Sequence, residues 1–266
     1  MIGSLLPKFL AGKFSLPAAM QTQRRRAPAI DAGRRVYAVG DIHGCAGLLD
    51  QMHRKLREDA ANYQGDVTIV YLGDYIDRGP DSRTVIDRLV QQRGFRVHFL
   101  KGNHDAALLD FLRDPDSYRF WRNYGAPETL SSYGVRPPLF TTSVNFARAR
   151  DELAEKLPED HLRFFNDLEL SVSIGDYFFA HAGARPGIAL EEQRQEDLMW
   201  IRGEFLSSHY DFGKVVVHGH TPQPHPAHHN NRIGIDTGAY ATGILSCVVL
   251  EGETQRFLQA GPGNTF

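Results

Sequence analysis

The sequence predicts an α/β fold in which two mixed β-sheets pack face to face as a sandwich with helices outside. Three observations lead there. In the first half, apolar strand-like runs alternate with helical patterns about every thirty residues, roughly the length of a βαβ unit. In the second half the apolar runs are mostly strands. Five short motifs, rich in Asp, His and Asn and set beside glycine, stand at the ends of these runs.

Taken in order, Val36-Tyr37-Ala38-Val39 is a short buried-strand run ending in Gly-Asp-Ile-His-Gly at 40–44. Leu48, Leu49, Met52 and Leu56 then follow a helical period. The second strand, 67–72, ends in Gly-Asp-Tyr-Ile-Asp-Arg-Gly at 73–79, and Asp81 or Ser82 is placed to cap a helix carrying Val85, Ile86, Leu89 and Val90. A third strand, 95–100, ends in Gly-Asn-His-Asp at 102–105. Each motif thus lies past the carboxyl end of a strand, the edge at which open α/β sheets bind ligands.

Residues 106–168 read as mostly helical and irregular, a cap packed beside the sheet and bordering the site; within it, Phe120, Trp121 and Tyr124 at helical spacing read as core. Strand runs resume at 170–174, 177–180, 215–217, 233–235 and 244–250. Two of them end in His-Ala-Gly at 181–183 and His-Gly-His-Thr at 218–221. His218 reads as a packed strand-end residue. The His/Pro-rich stretch 222–229, with His225, His228 and His229, reads as a solvated hairpin loop. Residues 1–34 read as a loosely ordered N-terminal extension to a single domain spanning 35–266, because Lys8 and Lys13 break the apolar stretch a signal peptide needs.

The bulk numbers are those of a soluble globular protein: 266 residues, 42% hydrophobic and 23% charged. A net charge of −2 gives no electrostatic basis for a nucleic-acid partner. No apolar run approaches the ~20 residues that span a bilayer, so no membrane association is expected. Two cysteines, Cys45 and Cys247, fit reduced thiols in a cytoplasmic protein.

Singly, each motif is weak; together they make a coherent ligand set. Asp41, His43, Asp74, Asn103, His181 and His220 offer carboxylate, imidazole and amide donors, which suit manganese, iron or zinc better than calcium or a thiolate zinc site. A bridging carboxylate could hold two divalent ions ~3.5–4 Å apart, clamping phosphate oxygens and acidifying a water. His104 is the candidate general acid because histidine titrates near neutrality, and Asp77 is its natural partner. Arg78 and Arg202 offer the planar fork that phosphate prefers.

With these residues in view, the chain resembles the phosphoprotein phosphatase superfamily of calcineurin-like metallophosphoesterases, especially its bacterial and phage serine/threonine phosphatase branch. The likeness covers residues 36 to about 251 and rests on GDIHG, GDYIDRG, GNHD, HAG and HGHTP, with LMWIR at 198–202 and GIDTGAY at 234–240. It implies that Asp41 and His43 hold the first metal, Asp74 bridges, and Asn103, His181 and His220 hold the second, with manganese the first expectation. It also implies a His104–Asp77 acid dyad and a phosphate grip by Arg78 and Arg202, with Asn103 close to the phosphate. Symmetrical diadenosine tetraphosphate hydrolases share most of these motifs but as a class tend to lack an acidic residue at the position of Asp77 and to carry tryptophan at that of Thr221. The resemblance therefore points first to a serine/threonine protein phosphatase. A dinucleoside polyphosphate or other small-phosphoester hydrolase is the alternative, and a non-catalytic metal-binding module stands further off.

Overall fold

The structure is a computed structural model and describes residues 26–139 and 142–262. In chain order it runs β1 (Arg34–Val39), α1 (Ala46–Ala60), β2 (Asp66–Tyr71), α2 (Ser82–Val90), β3 (Arg96–Phe99), α3 (Asn103–Arg113), α4 (Tyr118–Trp121), α5 (Ala126–Ser132), α6 (Ser143–Lys156) and α7 (Glu159–Asn166). There follow β4 (Ser171–Ile174), β5 (Tyr177–Ala180), α8 (Gln195–Trp200), α9 (Gly203–Leu206), β6 (Val215–His218), β7 (Ala227–His228), β8 (Arg232–Gly234), α10 (Ala239–Thr242), β9 (Leu245–Glu251) and β10 (Thr254–Ala260).

The strands form two mixed sheets, ordered β10-β9-β1-β2-β3 and β4-β5-β6-β8-β7. In the first, β1, β2 and β3 are parallel and β9 runs antiparallel to β1. In the second, β5, β6 and β8 are parallel, with antiparallel strands at both edges. The alternation of side chains along each strand then sorts the core into three layers. Val36, Ala38, Val70, Leu72, Val248 and Leu250 face the second sheet and meet Tyr177, Phe179, Val215, Val217 and Ile233. Their neighbours Tyr37, Val39, Ile69, Tyr71 and Val249 face outward under α1, α2 and the helices of the β3–β4 insertion. On the far side, Phe178, Ala180 and Val216 pack against Leu198, Ile201 and Phe205 of α8, α9 and the turn between them. The expected sandwich with outer helices is what forms.

Helix α1 buries Leu49, Met52, His53 and Leu56, and α2 buries Val85, Ile86 and Leu89, each on one stripe. Neither Asp81 nor Ser82 caps α2 through its side chain. Ser82 Oγ instead accepts the Asp77 N–H at 3.1 Å, so the helix start is spent on fixing the preceding motif. The segment read as a cap holds α3 to α7, which continue the outer helical layer over the first sheet. Most of the expected N-terminal extension lies outside the described residues. Its last part packs on the sandwich edge: Ile30 is buried and its N–H donates to Gly252 O (2.9 Å), while the Ala29 N–H donates to Asp176 Oδ2 (2.9 Å).

Two strands depart from the sequence reading. Strand β10 pairs with β9 through the two-residue turn Gly252-Glu253, with Gly252 at φ 52°, a hairpin signal that needs glycine at the first central position. Strand β7 lies inside the stretch read as a solvated loop, where Ala227 and His228 pair with Gly234 and Ile233. No helix among the described residues is long and apolar enough to cross a membrane. Cys45 is half-buried and Cys247 buried, both unpaired.

Candidate metal centre

The five motifs converge at the carboxyl ends of β1, β2, β3, β5 and β6. Reaching that convergence bends the backbone into the left-handed region at His43, Asp74, Asp77, Arg78 and His220. Among the described residues these are the non-glycine positions with positive φ, and each costs on the order of 1–3 kcal/mol unless its surroundings impose it. Glycines make the approach possible. A Cβ on Gly102 would lie 2.1 Å from Asp74 Oδ1, and one on Gly219 2.0 Å from Asp41 Oδ1. We expect Gly102→Ala to push Asp74 aside and lower manganese affinity roughly 10–100-fold, the usual scale for lost ligand support; calorimetric titration of metal-free protein checks this, and an unchanged affinity contradicts it.

Asp74 is the centre of the cluster. Its Oδ2 lies 3.5 Å from His43 Nε2, 3.4 Å from His181 Nε2 and 3.8 Å from His104 Nε2. Two groups of side chains able to hold an ion share it: His43, Asp74 and His104, and Asp74, His181 and His220. Asn103 Oδ1 and His220 Nδ1 each lie 3.1 Å from His181 Nε2. The Nδ1–H groups of His181 and His43 donate to the carbonyls of Leu72 (2.8 Å) and Ile76 (2.9 Å), which leaves both Nε2 lone pairs aimed into the cluster. Lone pairs crowded this way repel unless a cation sits among them. The carboxylates draw positive charge to this position, a proton or a cation: burial works against charge on His181, yet Asp74 and Asp41 raise its pKa to about 10. Burial would also raise Asp74, but His181, His104 and His43 hold it well below the ordinary carboxylate value. The donor set fits a divalent metal centre. When bound, such a centre supplies charge neutralisation and an acidified water.

Asp41 is buried and accepts the His220 N–H on both oxygens (3.2 and 3.0 Å); burial first, then neighbouring Asp236, raise its pKa. Its carboxylate is not among those grouped around Asp74. His218 points away from the cluster: its Nδ1–H donates to Gly219 O (3.1 Å), Phe205 packs edge-on against it, and burial lowers its pKa to about 4.

Beside the cluster, His104 Nδ1–H donates to Asp77 Oδ2 at 2.7 Å. Asp77 is fully buried, and the outer helices hold it: Trp121 Nε1–H donates to Oδ2 (2.7 Å) and Thr129 Oγ1–H to Oδ1 (2.5 Å). Burial depresses the His104 pKa, but Asp74 and Asp77 outweigh it and raise the value. The Arg78 guanidinium stacks on Tyr240 at 4.6 Å and lies 3.3 Å from His104 Nε2. Arg202 is exposed, and its Nη1 donates to Thr221 Oγ1 at 3.1 Å, next to His220 in the chain.

Several site residues escaped the sequence reading. Asp105 accepts the N–H groups of Asp74, Tyr75 and Gly102 and so fixes the second and third motifs to each other. Asp236 and Tyr240 lie in a segment noted only for its resemblance to the family. Phe120 and Tyr124 were expected in the core; they are instead 75% and 43% exposed beside the site, and only Trp121 is buried. Helical spacing failed there because the segment is a four-residue helix followed by a tight turn, too short to keep one face inward.

The fold and the carboxylate–imidazole cluster define a metallophosphoesterase. The chain belongs to the calcineurin-like phosphoesterases, whose family model matches residues 34–242. Among its relatives, serine/threonine-protein phosphatase 1 of Salmonella typhimurium is 30% identical, covering 80% of this chain and 90% of that protein. The asymmetrical bis(5′-nucleosyl)-tetraphosphatase PrpE of Anoxybacillus flavithermus is 25% identical, covering 79% of this chain and 88% of that protein. The crystal structure of a candidate diadenosine tetraphosphatase has the same fold, with TM-score 0.61 and 24% identity over 90% of this chain and 100% of that one.

Proposed function

We propose that the chain is a phosphomonoester hydrolase whose substrates are phosphoserine and phosphothreonine in proteins. The reading rests on one observation, the buried His104–Asp77 pair at 2.7 Å. A serine or threonine alkoxide is a poor leaving group and needs a proton as it departs, whereas a nucleoside phosphate leaves with little help. A histidine clamped by a buried carboxylate answers the harder case. In this proposal Asp41, His43, Asp74, Asn103, His181 and His220 hold two divalent ions, with manganese the first choice. Arg78, Arg202 and Asn103 grip the phosphate. His104 gives its proton to the leaving oxygen, and Asp77 keeps the imidazole oriented.

A second reading, hydrolysis of dinucleoside tetraphosphates, is favoured by the relatives named for that activity and by the aromatic side chains around the site. Steady-state rates on a phosphopeptide and on diadenosine tetraphosphate, both with manganese, separate the two. The first reading expects the larger kcat/KM on the phosphopeptide. A much larger value on the dinucleotide overturns it.

A further inference from the structure

Asp77 and Arg78 are adjacent, neither is glycine, and both hold φ in the left-handed region, at 73° and 68°. Two such residues in succession persist only where their surroundings impose the conformation. What packs over them is the turn between α4 and α5. Gly125 crosses so closely that a Cβ there would lie 2.2 Å from Arg78 N and 3.0 Å from Asp77 Cβ. A donor stands on each side of that glycine in the chain. The Trp121 indole N–H reaches Asp77 Oδ2 at 2.7 Å, and the Thr129 hydroxyl reaches Oδ1 at 2.5 Å. The Asp77 N–H is shared between Thr129 Oγ1 (2.9 Å) and Ser82 Oγ (3.1 Å), and those two hydroxyls are 3.1 Å apart. Asp77, Ser82, Trp121 and Thr129 are all buried.

The protons of this network have fixed places. An indole N–H can only donate, so Oδ2 accepts from Trp121. Thr129 spends its one proton on Oδ1, which makes Ser82 the donor between the two hydroxyls. Oδ2 keeps one further lone pair, and His104 Nδ1–H takes it at 2.7 Å. Both carboxylate oxygens are thus held by the insertion between β3 and β4, and the carboxylate in turn aims the imidazole. We propose that Trp121 and Thr129 are positioning residues for leaving-group protonation, fixing Asp77 and through it the direction in which His104 presents its proton. In that step a water oxygen joins phosphorus, the bond from phosphorus to the serine oxygen breaks, and the proton on His104 Nε2 passes to that oxygen. This rests on the acid role given to His104 above, and adds that the outer helices set its aim. Trp121 also lines a cavity beside His104, so direct contact with the leaving group is the rival explanation; Thr129 does not line that cavity and separates the two.

With manganese-loaded protein, kcat is read for a phosphoserine peptide and for p-nitrophenyl phosphate on one sample, so any loss of folded protein cancels in their ratio. Trp121→Phe keeps a buried ring and removes the N–H. Thr129→Val keeps the volume and removes the hydroxyl. Each should lower the peptide rate relative to the nitrophenyl rate roughly tenfold or more, the scale of one hydrogen bond to a charged group. Thr129→Ser, which keeps the hydroxyl, should hold the ratio of the parent protein. In a His104→Asn background neither Trp121→Phe nor Thr129→Val should move the ratio, because no proton is left to aim. If both substitutions leave the ratio unmoved in the parent protein, or still lower it once His104 is gone, the proposal is overturned while the acid reading stands. Should His104→Asn itself slow both esters equally, or the parent protein leave the peptide intact, the acid reading fails and takes the proposal with it.

Discussion

Asp74→Asn should strip metal from both halves of the site. Asp74 is the one side chain common to the two ion-holding groups, and its Oδ2 is within 3.8 Å of three imidazoles. The amide keeps the shape and loses the charge that offsets those histidines. Metal analysis after gel filtration should fall from two ions per chain toward none. Activity on p-nitrophenyl phosphate should fall about a thousandfold or more, since the centre supplies several kcal/mol of charge stabilisation and each factor of ten is ~1.36 kcal/mol. Two retained ions would contradict the bridging role.

His104→Asn should act in the opposite way, sparing metal and costing rate. The geometry leaves a real contest, because His104 also falls within one of the ion-holding groups. Its Nδ1 is committed to Asp77, and its Nε2 stands farther from Asp74 Oδ2 than does that of His43, 3.8 against 3.5 Å. That favours a proton donor over a ligand. We expect kcat on a phosphoserine peptide to fall roughly 10²–10⁴-fold, the range for a general acid. The loss on p-nitrophenyl phosphate should be smaller, because nitrophenolate leaves without a proton. Equal losses on both substrates, accompanied by loss of metal, would make His104 a ligand.

The strand-then-motif design was legible because it is local. An apolar run, a glycine and a ligand within a few residues announce both the strand and what its end carries, and all five such motifs converge in the structure. What stayed hidden depends on distant partners. Nothing near Trp121 signals that its indole reaches Asp77, 44 residues away in the chain. Asp236 acquires meaning only beside Asp41, and Tyr240 only beneath Arg78. Phe120 and Tyr124 misled because periodicity predicts a buried face only when a helix is long enough to have one. Strand β10 had a readable glycine turn before it, but its own residues, Thr254 to Ala260, include too few apolar side chains to mark a strand unaided.

In the proposed function the buried cluster holds two divalent ions, and phosphomonoester hydrolysis depends on them. The most direct test is to titrate metal-free protein with manganese while following bound metal and p-nitrophenyl phosphate turnover together. Activity is expected to rise from near zero and to saturate as two ions per chain bind. Metal-loaded protein that leaves the ester intact, or full activity with no metal bound, would contradict it.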